Sequence, residues 1–425
     1  MSNLRSTFSA LLLYGSLTAS LTCFAADPTA TSYTYEQCQG SAMPYPVTGA
    51  TTQRTLPDSL TPVFINHVGR HGARFLSSAK AVNELDEYLA RADKAGTITP
   101  LGRKLRDLCG EVVRATAGRW GALDSLGMAE QRGIASRLHS FTPALFHATR
   151  VNAISSYVPR CVASMDEFTH QLTRLDNNVE IYTSSGRQNS PLVRPWTTDS
   201  IYKEFMESPE LKETEKTFKS ALSYNSLAQR LMGKDYPFTD DKDKDKVSLA
   251  AFKVISGCSA MGMKCQLADY MSVGEANALW SISNLSHYLS HSASTLSPAP
   301  MELATALLSE LISTLESAAE GSNQYSVMLR FGHAETLMPL LALMRLQGCY
   351  YMTNYFDTVG LHWRDFYVVP MASNLQMFLL KATSGNLYLR VDLNETPVPL
   401  IPGRSEIYTP LPRALDFLSR CLPLT

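Results

Sequence analysis

The chain has 425 residues, enough for one large core or two domains. With 45% hydrophobic and 18% charged residues, its composition excludes a disordered or fibrous protein. A formal net charge of −1 argues against a nucleic-acid binder that works by bulk charge.

The first 25 residues read as an export signal. Arg5 supplies the basic end, Phe8 to Leu21 a short apolar stretch broken by Gly15, and Cys23-Phe24-Ala25 a small-x-small cleavage site. That stretch is too short and interrupted for a transmembrane helix, and no later one is long enough. The mature chain is therefore expected to be exported, periplasmic or secreted, without a membrane span. A lipidated Cys23 is the alternative, although Ser20-Leu21-Thr22 is a poor lipobox. Cleavage after Ala25 leaves an odd number of cysteines, among which Cys258 and Cys265 are the best local pair for a disulfide. No Cys/His cluster has zinc-site spacing, so no metal is expected.

A buried strand is predicted at 62–67, closed by a turn containing Gly69 and Gly72. Helical periodicity follows over 79–93, 100–117 and 125–140. A strand-like stretch lies within 146–157, Pro159 opens a helix through Leu175, and a short strand covers 179–183. From 198 to 320 the pattern turns helical, and the alternating charges of Asp240 to Lys246 read as a solvated loop. A strand at 325–330 precedes a helix from about 335 to 346, whose methionines sit at core spacing. The stretches 375–382 and 386–393 form a hairpin around Thr-Ser-Gly, and a last helix spans 411–421. Strands alternating with helices around a helical middle give an α/β class: a mostly parallel sheet flanked by helices, with an inserted α-helical cap. The expected organisation is a signal peptide at 1–25, an α/β core from 26–197 and 321–425, and a mainly helical cap at 198–320. A ligand cleft is expected between core and cap.

The strongest local signal is Arg70-His71-Gly72-Ala73-Arg74, directly after the first predicted strand. Two arginines flanking a histidine supply planar, always-charged forks that can hold phosphate oxygens. Imidazole is a competent nucleophile near neutral pH and can leave again after attack by water. Gly72 lets the backbone turn beside a ligand. A second signal is Arg330-Phe331-Gly332-His333-Ala334-Glu335, also at a strand end. There His333 can donate to a phosphate and Glu335 can protonate a leaving oxygen. A parallel sheet brings such distant strand ends to one edge. Residues 70–160 carry 14 Lys/Arg against 8 Asp/Glu, which suits a small anionic ligand better than a long polyanion.

Arg-His-Gly-Ala-Arg at 70–74 resembles the signature of histidine acid phosphatases. His333-Ala334-Glu335 resembles the variant found in multiple inositol polyphosphate phosphatases, where other members of the clan carry His-Asp. Thr97 to Gly102, Leu126 to Gly133, Ser155 to Cys161 and Leu393 to Val398 are similar to further family segments, so the resemblance spans nearly the whole mature chain. It implies a phosphohistidine mechanism without a cofactor. His71 would be the nucleophile, Arg70, Arg74, Arg160 and His333 the phosphate clamp, and Glu335 the proton donor. Arg194 is the preferred contact for the substrate's other phosphates, with Arg187 and Lys203 as further candidates. The expected substrate is an inositol polyphosphate such as phytate, and the expected state a monomer.

A broad-specificity acid or sugar phosphatase of the same family is the alternative. Mutases of the superfamily usually carry Glu where Ala73 stands. Intact His71 and Glu335 argue against a phosphate-binding protein that has lost catalysis. The remaining histidines, His67, His139, His147, His170, His287, His291 and His362, read as structural.

Overall fold

Along the first strand, β1 (Leu60–Arg70), every residue from Phe64 onward is buried, which requires cover on both faces of its sheet. Phe64 and Val68 enter one apolar cluster and Ile65 the other. The computed structural model describes residues 32–46, 54–147 and 149–424. The expected export segment and Cys23 lie outside them.

The other strands are β2 (Arg150–Ser155), β3 (Glu180–Ser185), β4 (Val327–Gly332), β5 (Asn374–Ala382), β6 (Leu387–Leu393), β7 (Thr396–Val398) and β8 (Thr409–Pro410). They form one mixed sheet in the order β3-β2-β4-β1-β5-β6-β7, with β8 paired to β6. The first four strands run parallel, and β5 to β8 add an antiparallel flank. In register, Arg70 lies beside Gly332 and Ser155 beside Phe331. The carboxyl ends of β1, β4 and β2 therefore share one edge.

The longer helices are α1 (Lys80–Lys94), α2 (Pro100–Thr116), α3 (Ser125–Phe141), α4 (Pro159–Leu175), α5 (Ser200–Glu207), α6 (Pro209–Ser220), α7 (Ser226–Met232), α8 (Asp241–Cys258), α9 (Val273–His291), α10 (Thr305–Ala319), α11 (Ala334–Leu343) and α12 (Leu411–Cys421). Helices α3 and α4 cover one face of the sheet through Ile134, Leu138, Met165, Phe168 and Leu172. Leucines of α10, α11 and α12 cover the other. The region from 198 to 320 is helical, and its last helix, α10, packs directly on β1. Among the described residues no helix is long and apolar enough to cross a membrane.

Two expectations need correction. Residues 241–246 open α8 instead of forming a loop. The Asp240 carboxylate caps the helix by accepting Asp243 N–H at 3.0 Å, and Lys244 and Lys246 pair with aspartates three positions earlier. Acids in a first turn favour a helix through its dipole, which outweighs the reading of alternating charge as loop. Cys258 and Cys265 are buried free thiols and not the expected disulfide. A turn at Ser259–Met261 and Gly262, with φ of 66°, folds Cys265 back onto the end of α8.

Candidate active site

The loop after β1 is held at each backbone group. His71 N–H donates to Gly332 C=O at 3.0 Å, extending the β1–β4 ladder by one residue, and His71 C=O accepts Ala372 N–H at 3.0 Å. Gly72 N–H donates to Ser164 Oγ at 3.1 Å, and Ala73 N–H to Glu130 Oε2 at 2.7 Å. Gln131 Nε2 donates to Arg70 C=O at 3.0 Å. Two glycines permit the close approach of this loop to α3. A Cβ on Gly72 would sit 2.4 Å from Gly127 O, and one on Gly127 would sit 2.1 Å from Ala73 O.

His71 is buried, and its Nδ1 lies 2.9 Å from Gly72 O. A carbonyl only accepts, so Nδ1 carries the proton and the lone pair is on Nε2. Burial, then Arg70, Arg160, Arg74 and His333, hold the ring's pKa well below 6.5. The imidazole is thus neutral, with a fixed tautomer. The His333 ring lies 5.7 Å from it, edge to face. Arg160 Nη2 is 3.2 Å from His333 Nδ1, and His333 Nε2 is 3.1 Å from Ser156 Oγ. Because an arginine only donates, His333 keeps its proton on Nε2. Burial pushes its pKa down to about 3.

The arginines that converge here differ from those elsewhere in the molecule. Arg54, Arg137 and Arg390 are buried against Asp392 and Glu395. Arg70, Arg74, Arg160 and Arg194 have no carboxylate within salt-bridge distance among the described residues, and each has a buried Nε without a hydrogen-bond partner. Arg70 is oriented by Ser41 C=O at 2.6 Å and Val369 C=O at 2.5 Å. Arg74 donates to Phe75 C=O at 2.9 Å. Burial and mutual repulsion pull Arg70 and Arg74 down to about 10. Unpaired buried cations cost several kcal/mol each unless an anion neutralises them. The geometry therefore defines an anion site beside the lone pair of His71. Arg194 stands further out, with its guanidinium 4.9 Å from the Tyr157 ring and 5.9 Å from the Trp196 ring. Arg187 covers the same Tyr157 ring at 4.9 Å, and Lys203 is exposed.

Glu335 lies in the first turn of α11. Burial raises its pKa, but His291, His333, its own backbone N–H and Arg70 outweigh that and hold the carboxyl at about 2. The charge of His291, expected to be structural, is the first of the groups that lower this carboxyl, although burial holds His291 itself at about 4. Its Nε2 lies 3.1 Å from Tyr202 OH. Nothing in the sequence around His291 marks it. Ser156 and Trp196 were also missed, although both flank arginines singled out as candidates, and the Trp196 ring lies 5.5 Å from that of His333. Arg330, within the second motif, points to the opposite face and pairs with Glu310. Among the described residues no group of His, Cys, Asp and Glu is disposed to hold a metal ion.

A four-strand parallel block with a histidine at two adjacent strand ends, ringed by arginines without counter-ions, forms a site suited to an anion such as a phosphate group. No protein-family model matches the chain. Its sequence is homologous to multiple inositol polyphosphate phosphatase 1 of Homo sapiens, 25% identical over 385 residues, covering 81% of this chain and 76% of the human protein. The fold matches the Bifidobacterium longum multiple inositol polyphosphate phosphatase in complex with phosphate at a TM-score of 0.75 and 15% identity, over 90% of this chain and 97% of that one. The phytase from D. castellii matches at a TM-score of 0.71 and 15% identity, over 92% of this chain and 86% of that one.

Proposed function

We propose that this protein is a phosphatase that removes phosphate from inositol polyphosphates through a phosphohistidine at His71. The observation that carries the reading is the neutral, tautomer-fixed His71 beside three arginines, Arg70, Arg74 and Arg160, that lack carboxylate partners. The names of the human and B. longum relatives support the substrate class. In the first step the Nε2 lone pair of His71 forms a bond to phosphorus while the bond from phosphorus to the ester oxygen breaks. Glu335 gives its proton to that oxygen. In the second step water attacks phosphorus, the N–P bond breaks, the electron pair returns to Nε2, and Glu335 takes the water proton. Arg70, Arg74 and Arg160 neutralise the charge on the transferred group, and the Nε2–H of His333 donates a hydrogen bond to it.

Glu335 must begin the first step protonated, yet the ligand-free site holds it ionised. A bound phosphate resolves this, because its negative charges offset the cations that depress the carboxyl and raise its pKa. In this reading the region 198–320, apart from the helix α10 that covers the sheet, acts as a cap over 26–197 and 321–425, and Arg194 meets a phosphate that is not being transferred. The N-terminal 25 residues direct export to the periplasm or medium. The working unit is a monomer.

Phosphate release from phytate by the mature protein, with EDTA present and a His71→Ala control, tests the proposal. Metal-independent release that disappears in the variant supports it. Release from simple phosphate esters but not from phytate would leave a broad-specificity phosphatase instead.

A further inference from the structure

The peptide group that fixes the tautomer of His71 has a second partner. The Gly72–Ala73 peptide accepts the His71 Nδ1 proton on its carbonyl at 2.9 Å. Its N–H, on Ala73, donates to Glu130 Oε2 at 2.7 Å. The other oxygen, Glu130 Oε1, accepts Tyr45 N–H at 2.8 Å. Glu130 is only 8% exposed, and no cation lies within salt-bridge distance of it among the described residues. A buried carboxylate without a counter-ion is costly, and a glutamine amide would serve a purely mechanical clamp at less expense.

The charge, which the group acquires as pH rises through about 7, has an evident use. A carboxylate bound to an amide N–H polarises that amide and makes its carbonyl a stronger acceptor, because hydrogen bonds in series reinforce one another. When Nε2 bonds to phosphorus its lone pair is consumed, the Nδ1 proton stays in place, and the ring becomes cationic. A stronger acceptor at Nδ1–H then stabilises the product side of the step.

We propose that Glu130 is a positioning residue for the nucleophile. Through the Gly72–Ala73 peptide it holds His71 in the Nδ1–H tautomer and stabilises the positive charge the ring acquires on phosphorylation. The arrangement is a histidine–carboxylate pair with one peptide interposed. The inference rests on His71 being the nucleophile.

The test uses the full mature chain with histidine ring nitrogens labelled with 15N. Glu130→Gln and Glu130→Asp are compared with the unaltered protein. Glu130→Gln is expected to lower kcat on phytate roughly tenfold to a hundredfold, less than the ~10⁴-fold seen when a carboxylate touching a catalytic histidine directly is made an amide. KM, and inhibition by inorganic phosphate, should stay within about threefold, because the arginines that bind phosphate are untouched. The His71 Nδ1 proton should move upfield, and Glu130→Asp should recover part of kcat by restoring the charge. A Glu130→Gln protein with unchanged kcat and an unmoved Nδ1 proton would overturn the proposal. So would equal weakening of kcat, KM and phosphate inhibition, the pattern of a loop that has merely collapsed.

Should the variants not fold, the unaltered protein decides. The Ala73 amide proton and the His71 Nδ1 proton should shift together as the Glu130 carboxyl carbon titrates, and independent behaviour would overturn the idea. The charged groups facing Glu130 are Asp124, which caps α3, and Arg70 on β1, and their resonances serve as controls. These resonances report on the chain from Glu130 to His71 even if a His71→Ala activity assay were to reject His71 as nucleophile.

Discussion

Gly127→Ala is the most informative single perturbation of the loop. Its Cβ would lie 2.1 Å from Ala73 O and 2.7 Å from Ala73 N, and the first distance is more than 1 Å short of the 3.4 Å where ordinary contact begins. Both obstructing atoms are backbone, so neither can swing aside as a side chain would. Helix α3 is fixed by the Asp124 cap, whose Oδ1 accepts Gly127 N–H at 2.8 Å, so the loop must move by about 1 Å. Overpacking costs about 1–3 kcal/mol, while replacing a helical glycine by alanine returns about 1 kcal/mol. The net loss of about 0–2 kcal/mol leaves the protein folded, with Tm lowered by only a few degrees. A misplacement of about 1 Å at the nucleophile costs on the order of a hundredfold in rate. The assay is kcat on phytate beside a thermal melt. A folded variant with kcat within threefold of the original would refute the claim that this contact sets the position of His71.

Glu335→Gln should lower kcat on phytate by about 10²–10⁴-fold but cost far less with p-nitrophenyl phosphate, whose leaving phenolate needs little protonation. Equal losses on both substrates would remove Glu335 from the role of proton donor. Arg194→Ala should raise KM for phytate roughly tenfold or more, the worth of a charge-assisted hydrogen bond of about 1.5–3 kcal/mol, and leave KM for p-nitrophenyl phosphate unchanged. Burial raises the Glu130 pKa from 4.5 to about 7, so this group stabilises the fold fully below its unfolded pKa and loses that contribution as pH rises through about 7. Thermal or urea unfolding from pH 4.5 to 7.5 should therefore show stability in the unaltered protein falling by up to about 3 kcal/mol relative to Glu130→Gln. Parallel profiles would contradict that ionisation.

What was legible in the sequence was what is local. Arg70-His71-Gly72-Ala73-Arg74 could be placed at a strand end because the apolar run before it and the glycine within it are contiguous. The same holds for His333 before α11, and for Pro159 opening α4. The partners that make the loop work are not contiguous. Glu130 and Gln131 lie on α3, Ser164 on α4, and Ser41 and Val369 come from opposite ends of the chain. Only the folded sheet with its covering helices brings them to His71, and their types, Glu, Gln and Ser, are those of any helix surface. His291 was passed over for the same reason. The opening of α8 carries two conflicting local signals, a cap residue at Asp240 and a run of alternating charge, and capping decides between them.

The most direct test of the account is a rapid alkaline denaturing quench of the mature protein mixed with phytate, followed by mass spectrometry of its peptides. The account predicts a phosphoryl group on the peptide containing His71, stable to base and lost in acid, present within the first turnover and absent from His71→Ala. Phosphate release without any phosphorylated histidine, or with the phosphoryl group on a different residue, would contradict it.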